Sequence, residues 1–483
     1  MNIIEKFYRF ETSFDLKKFT VNGFWYYPLI KMAIYFELVG RKGKIKSRNR
    51  GGNSALFEIW HQFIQGIKWR LKSATPHSAK YLFFDYALSR RQTEQGYFEN
   101  IYNRPLMRAL NGKDQLLVEF PAPKYGHHKK IDKGDVYFLD WDIFLIFIKA
   151  RLRRKRWIFD DTHLKELYDF LELSYDPRFI NDRLNKTFLF IDFYRKFLSK
   201  VKPQIIFLID GYDYKQMALI ASSKKLGIPT VELQHGLINE SHLAYMYAKV
   251  TDRLLFADYL FTFGPYFTDL IKRHSVIWDA SHLVTVGFPY LELVKDRSVK
   301  LNKKLIDLSN HYKIIYITSQ WTVRDKLRDF VLLLSEKVDD RYRIFYKIHP
   351  GETNAEQFYE PLKNNAKIEL ILDKTVNSLE IMKIAFVHST VYSTSYFESV
   401  FFELPNIFID VPKFSKNIEH HIDNKTAFIA KSVNEYLAHL AKIENDSSIS
   451  QKLHNKKTIF YAPNALKNIL SAVNNILKTT NRI

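Results

Sequence analysis

Apolar residues fall along the chain in short unbroken runs, separated by stretches in which they recur every three or four positions. YLFFDY from Tyr81, QLLVEF from Gln115 and QIIFLID from Gln204 read as buried strands of a parallel sheet. Lys215 to Leu226 has helical character and stops at Gly227 with Pro229 just beyond, and Thr230 to Leu233 predicts the next strand. This strand, helix, strand order predicts a right-handed crossover with both strand ends on one edge of a sheet. The pattern restarts after VTVGFPY near Gly287, with KIIYITS from Lys313, YRIFYKIH from Tyr342, KIELIL from Lys367, IAFVHS from Ile384 and NIFID from Asn406. The last periodic stretch, Asn464 to Leu477, gathers Leu466, Ile469, Leu470, Val473, Ile476 and Leu477 on one helical face.

The pattern predicts an α/β protein of two Rossmann-like domains facing a cleft, preceded by a helical arm. The expected divisions are a basic arm over 1–52, a first domain over 53–280 and a second over 281–483. A length of 483 residues with 46% hydrophobic content suits two such domains. The chain has no cysteine, which excludes disulfides, thiolate metal sites and a cysteine nucleophile.

Charge narrows the partners. Lys and Arg number 73 against 52 Asp and Glu, a net +21 that biases the surface toward phosphates. Two basic runs follow aromatic ones: FWYYPLIKMAIYF leads to RKGKIKSRNR, and IFLIFIKA leads to RLRRKR. Both match what an interfacial anchor on a membrane needs. No zinc-finger spacing or RNP-type aromatic motif points to nucleic acid. The N-terminus carries charges where a secretory signal would be apolar, and no run approaches the roughly 18 apolar residues that span a bilayer. The expected location is the cytoplasm, peripheral on the inner face of a membrane.

Ligands of open parallel sheets bind outside the carboxyl ends of the strands, so the residues after each strand are the candidates. They are Asp210, Gln234 with His235 and Gly236, Ser319 and Gln320, His349 with Pro350, and Ser389 with Thr390. His235 can take a proton near neutral pH, and Asp210 at the end of the neighbouring strand could orient it or act as base itself. His349 suits a phosphate leaving group on which charge develops. Ser389 and Thr390 are expected at a strand exit and helix start, where hydroxyls and backbone N–H groups hold phosphate, with Glu398 two turns on, facing a ribose. In the first domain, Arg90, Arg91, His127 and Gln234 are candidates for an anionic or lipid-linked acceptor. The pairs His127-His128 and His420-His421 are expected in solvent-exposed loops. H-E-x-x-H does not occur, and no metal and no cofactor is expected.

QHG after a strand, then GFP, then a strand-terminal HP, then S-T-x(7)-E and P-x-I-x-I resembles the bacterial surface-polysaccharide glycosyltransferases of GT-B architecture. The capsule Kdo and sialic acid transferases and the CDP-glycerol glycerophosphotransferases of teichoic acid synthesis are similar from about Pro203 to Asp410. The resemblance implies transfer of a sugar from a nucleotide-sugar, a CMP-sugar being favoured, to a growing surface glycan. It implies that His349, Ser389 and Thr390 contact the donor phosphate, that His235 matches a proposed base, and that Asp210-Gly211 matches an acidic-Gly motif with one acidic residue. Where many such enzymes end the glutamate-bearing helix in glycine, this chain has Glu403-Leu404 before Pro405. A polyol-phosphate transferase, a nucleotide-sugar epimerase and a non-catalytic glycan-assembly protein are the alternatives.

Overall fold

The protein was analysed as a computed structural model. It describes residues 3–480 apart from 43–51, 93–96, 111–113, 122–126, 128–135, 154–160, 350–351, 353–354, 374 and 411–420. Two compact units emerge: Met1–Gly287 together with Asn464–Ile483, and Phe288–Pro463.

The first unit carries seven parallel strands, β1 (Tyr81–Tyr86), β2 (Gln115–Phe120), β3 (Val136–Phe138), β4 (Ile205–Leu208), β5 (Thr230–Leu233), β6 (Tyr259–Thr262) and β7 (Leu283–Thr285), in spatial order β7-β6-β5-β4-β1-β2-β3. The second carries six, β8 (Lys313–Thr318), β9 (Tyr342–Lys347), β10 (Ile368–Ile371), β11 (Val387–Thr390), β12 (Asn406–Ile409) and β13 (Ala427–Ala430), in order β10-β9-β8-β11-β12-β13. Read from the first strand of each unit, both follow the doubly wound order 3-2-1-4-5-6, whose direction reverses between the first and fourth strands and opens a crevice there. Two Rossmann-like α/β domains are therefore present.

The strands form because their residues are buried on both faces. Every residue of β2, β4, β5, β11 and β12 is buried, as parallel sheets covered by helices require. The strands that the apolar pattern missed, β3, β6, β7 and β13, have only three or four residues each.

The helices used below are α1 (Ile3–Ser13), α2 (Tyr27–Lys42), α3 (Gly52–Arg70), α4 (Asp140–Arg153), α5 (Pro177–Val201), α6 (Tyr214–Lys225), α7 (Ser395–Phe401) and α8 (Ala465–Thr480). The apolar face read for α8 is the buried one: Ile469, Val473, Ile476 and Leu477 join Phe83, Phe207 and Val231 in one core. That core belongs to the first unit, so the chain returns to it after Pro463 and the terminal helix is not a piece of the second unit.

The N-terminal arm departs from its expected role. In Phe24–Phe36 the residues Phe24, Trp25, Tyr26, Tyr27, Leu29 and Ile30 are buried, and the run is core apart from its end, where Phe36 is 53% exposed. A buried ion pair lies among these residues: Lys31 Nζ lies 2.6 Å from Glu11 Oε1 and donates to Met246 O at 2.7 Å, while Ala248 N donates to Glu11 Oε2 at 2.8 Å. With Tyr27 also donating to Glu11, both charges are hydrogen-bonded, which makes their burial tolerable. The arm is thereby built into the first unit and braces the segment that follows QHG. The basic residues 43–50 and 154–156 lie outside the described residues.

Candidate functional site

At the ends of β4 and β5, two strand exits converge on a histidine and two carboxylates. The backbone of Asp210 takes a left-handed turn (φ +57°), a conformation that costs most residues about 1–2 kcal/mol and that Asp tolerates better. Asp213 N closes this turn on Asp210 O at 2.9 Å and Asp213 then caps α6. The turn presents Asp210 Oδ1 to His235 Nε2 at 2.6 Å, and Tyr212 OH lies 3.2 Å from the same nitrogen. Tyr102 OH donates to the carbonyl of His235 and holds its backbone from the side of the Asn103–Ala109 helix. Nδ1 of His235 is buried without a hydrogen-bond partner among the described residues.

Beneath this pair sits Glu232, buried in β5. It accepts from Gly211 N at 3.0 Å and from Tyr245 OH at 2.7 Å. A Cβ on Gly211 would stand 2.7 Å from the Glu232 carboxyl carbon, so only glycine fits against this carboxylate. Gly236 has open space around a Cβ and is not in the left-handed region.

The electrostatics follow from the pairing. Burial pulls the His235 imidazole down, but Asp210 and then Glu232 outweigh it and hold it above its ordinary value. Asp210 is pushed up by burial and more strongly pulled down by His235 and Tyr212, so it stays a carboxylate below the usual range. Burial raises the carboxyl of Glu232, and the Tyr212 hydroxyl is raised by burial and by Asp210. His242, edge-on to Tyr212 and tilted against Tyr245, is lowered to about 4 by burial and by the charge on His235. Among these groups, His235 is the imidazole that is hydrogen-bonded to a fixed carboxylate and held above its ordinary value.

Three acceptor candidates are engaged elsewhere. Gln234 is buried, its Nε2 donating to Gly236 O and its Oε1 accepting from Phe263 N, each at 2.8 Å; it ties the exits of β5 and β6 together. Arg90 is buried against Glu119. His127 bridges Glu119 and Asp140, with Nε2 2.6 Å from Asp140 Oδ2, and is buried rather than in the exposed loop expected of it. Burial lowers this imidazole, but Asp140 and Glu119 hold it above its ordinary value. Arg91 is exposed, on a two-stranded ribbon of Arg90–Gln92 and Phe98–Asn100.

In the second unit the candidates gather around the β8/β11 switch point. His349 follows β9, and its backbone N donates to Glu352 Oε1 at 2.9 Å. Glu352 is buried and also accepts from Ser319 Oγ and Tyr359 OH, each at 2.6 Å. Ser319 is therefore a support for the His349 turn and not an open donor contact. Pro350 lies outside the described residues. Ser389 and Thr390 are inside β11 and buried, not at a helix start: α7 begins at Ser395 and has seven residues. Ser389 Oγ pairs with Tyr436 OH at 2.7 Å. Thr390 Oγ1 and Gln320 Oε1 are buried without a hydrogen-bond partner among the described residues. Glu398 is partly buried in α7.

His388, which precedes this pair, is buried with Nδ1 2.8 Å from Asn406 Oδ1 and Nε2 3.3 Å from both Thr318 Oγ1 and Ser395 Oγ. Burial lowers it to about 4, so it is a neutral hydrogen-bonding core residue. Among the described residues no group of three or more His, Cys, Asp or Glu could hold a metal ion.

Glu232, Tyr212, Tyr245, Glu352 and Tyr359 were missed from sequence. The signal available for Glu232 was an acidic residue inside an otherwise apolar strand, two positions before Gln234.

No protein-family model matches the chain. No curated protein matches it. Solved structures do. A UDP-N-acetylglucosamine 2-epimerase is similar over 82% of this chain and 95% of its own, at 10% identity and a TM-score of 0.51. The S. aureus MnaA co-structure with UDP is similar over 83% and 97%, at 13% identity and a TM-score of 0.50. The wall teichoic acid polymerase TagF is similar over 88% and 98%, at 13% identity and a TM-score of 0.48. At these identities the likeness is one of fold, that of two Rossmann-like domains of GT-B type.

Proposed function

We propose that the chain is a metal-independent glycosyltransferase that moves a sugar from a nucleotide-sugar, with a CMP-sugar favoured, to an anionic or lipid-linked bacterial surface glycan. The observation that carries this reading is the His235 Nε2–Asp210 Oδ1 contact of 2.6 Å, with Nδ1 of the same ring lacking a hydrogen-bond partner among the described residues. With Nε2–H donated to Asp210, Nδ1 is the basic nitrogen, and an acceptor hydroxyl that displaces the side chains covering it would give its proton there. The alkoxide forms its bond to the anomeric carbon as the bond to the donor phosphate breaks, and the imidazolium is stabilised by Asp210 and Glu232. Asp210 acts as the orienting carboxylate, because a group held below its usual range is the weaker base.

The second unit would hold the donor. Its support is the pair of buried atoms without a hydrogen-bond partner among the described residues, Thr390 Oγ1 and Gln320 Oε1, at the exits of two adjacent strands that flank a switch point. His349, fixed by Glu352, would meet the phosphate as charge develops, and Arg91 remains as an acceptor contact of the first unit. The protein would work at the inner face of the cell membrane, where a lipid-linked acceptor resides.

The test is a thermal-shift screen with CMP, CDP, UDP and GDP, followed by turnover of the matching donor with the His349→Ala and His235→Ala variants. Stabilisation by one nucleotide class and loss of transfer by both variants, with melting curves unchanged, is expected. Retained transfer by His349→Ala removes its donor role. Turnover of donor without any acceptor indicates an epimerase, transfer from a CDP-polyol indicates the polyol-phosphate enzyme, and failure of every nucleotide to bind indicates an assembly protein.

A further inference from the structure

Helix α3 is covered on one side and bare on the other. Gly66 and Trp69 are buried, and a Cβ on Gly66 would stand 3.1 Å from the Trp141 ring of α4. Phe63 packs on Trp141 and Phe144, with ring centroids 6.0 and 5.6 Å apart. These contacts satisfy the helix as part of the fold. On the opposite side Trp60, Ile64, Ile67 and Leu71 are 60%, 43%, 38% and 82% exposed. Their spacing of four, three and four residues stacks them in one stripe, and Leu71 N continues the helical hydrogen bonding to Ile67 O at 3.0 Å. A contiguous exposed apolar stripe on a folded domain marks an interaction surface.

Charge identifies the partner. Lys68 and Lys72 border the stripe on one flank and Arg70 on the other, all exposed, and no Asp or Glu occurs from Trp60 to Ser73. Helix α4 runs antiparallel to α3: Trp141 lies at Gly66, Phe144 at Phe63, and Arg151 shares a groove with Gln62. The exposed Lys149, Arg151 and Arg153 of α4 are therefore at the Trp60 end. An apolar stripe with an indole at one end and lysines on its flank fits a layer that is apolar below and anionic above, with the lysine stems lying along the apolar surface. Two copies of the chain stacked through this stripe would bring cations together in either direction: a parallel pair sets Lys68, Arg70 and Lys72 against their like, and an antiparallel pair sets them toward the Trp60 end with its Lys149, Arg151 and Arg153.

We infer that the Trp60–Leu71 face of α3 is the surface through which the protein docks on an anionic lipid bilayer, the stripe entering the headgroup region and the flanking cations meeting lipid phosphates. This rests on the membrane-surface part of the proposed function and is independent of the transfer chemistry. It also relocates the anchor: the aromatic run of the arm is core, and α3, which carried no membrane signal in the sequence reading, takes its place.

The experiment is flotation of the full chain with phosphatidylcholine vesicles and with vesicles that also contain phosphatidylglycerol. Binding to the second and not the first is expected. The Trp60→Ser/Leu71→Gln variant should weaken that binding, and Lys68→Glu/Lys72→Glu should weaken it at least about tenfold. Because all four positions are exposed, both variants should keep the wild-type circular dichroism and melting temperature. Wild-type protein that stays with neither vesicle, or both variants floating like wild type, overturns the inference. So does light scattering in which the wild type is a dimer that these substitutions dissociate while flotation persists, since the face would then be a contact between copies. Flotation is read without turnover, so loss of transfer activity alone leaves this result standing, and the reverse also holds.

Discussion

Nε2 of His235 lies 2.6 Å from Oδ1 of Asp210, and the carboxylate reaches it only because Asp210 adopts a left-handed backbone turn at φ +57°. Strain held at a strand exit and used to aim a side chain is the arrangement expected of a working site. It also separates the two residues, which by sequence were equal candidates for the base.

That separation predicts a pH profile. Asp210 and Glu232 hold the imidazole above its ordinary value of 6.5 against the opposite pull of burial, and a base must be deprotonated to act. The acid limb of kcat/KM is therefore expected above pH 6.5. Asp210→Asn removes the larger supporting charge, so the limb should move to lower pH while kcat falls through lost orientation. His235→Ala should cost about 10²-fold or more. If Asp210 were the base, Asp210→Asn would abolish turnover with no surviving limb to shift, and His235→Ala would be mild.

A second prediction concerns two glycines that the sequence presents alike, each beside a candidate residue. Gly211→Ala would drive a methyl into the Glu232 carboxyl group, whose carbon stands 2.7 Å from the new Cβ position. Either Glu232 gives up the Gly211 and Tyr245 hydrogen bonds or the Asp210 turn shifts. A destabilisation of about 1–3 kcal/mol with loss of activity is expected in denaturant melts and assays. Gly236→Ala meets nothing within 4 Å and should stay within about 0.5 kcal/mol of wild type. Equal effects at the two positions would contradict this account of the site.

The contrast between these glycines bears on what the sequence could reveal. Strands buried on both faces announce themselves as unbroken apolar runs, so β1, β2, β4, β5, β8, β9, β10, β11 and β12 were legible, and with them the strand exits that carry Asp210, His235 and His349. Direction of burial was not legible. His127, Arg90, Gln234 and Ser319 have the chemistry of binding residues, yet each is taken up by a partner distant in sequence, such as Glu119 or Phe263. The same blindness hid Glu232 and Glu352, acidic residues whose burial depends on hydroxyls and N–H groups from other segments. Glu403 shows the opposite case. It stands where the resemblance expects glycine, at φ +58°, and its carboxylate is met by Lys457 Nζ at 3.0 Å and Lys295 Nζ at 3.3 Å. A residue in a left-handed turn is thus kept by ion pairing that no local pattern encodes.

A buried histidine of the second unit makes stability depend on pH. His388 sits in β11, bonded to Asn406, Thr318 and Ser395, and burial lowers it to about 4, against 6.5 in the unfolded chain. A depressed value means that the folded state resists protonation, so this contribution to stability is complete above pH 6.5 and is lost as pH falls from 6.5 through about 4. At about 1.4 kcal/mol for each pH unit of difference, the loss is on the order of 3 kcal/mol. The second unit carries His388, so a probe confined to it, such as a dye on a single cysteine introduced there in a chain that has none of its own, should report a melting transition that falls steeply over this window. His388→Asn removes the titrating group. Its melting temperature should be lower than wild type at pH 7.5, because three hydrogen-bonding neighbours lose their partner, and should fall more gently toward pH 4. A variant that keeps the wild-type steepness would show that another group, such as His242 in the first unit, governs the acid transition.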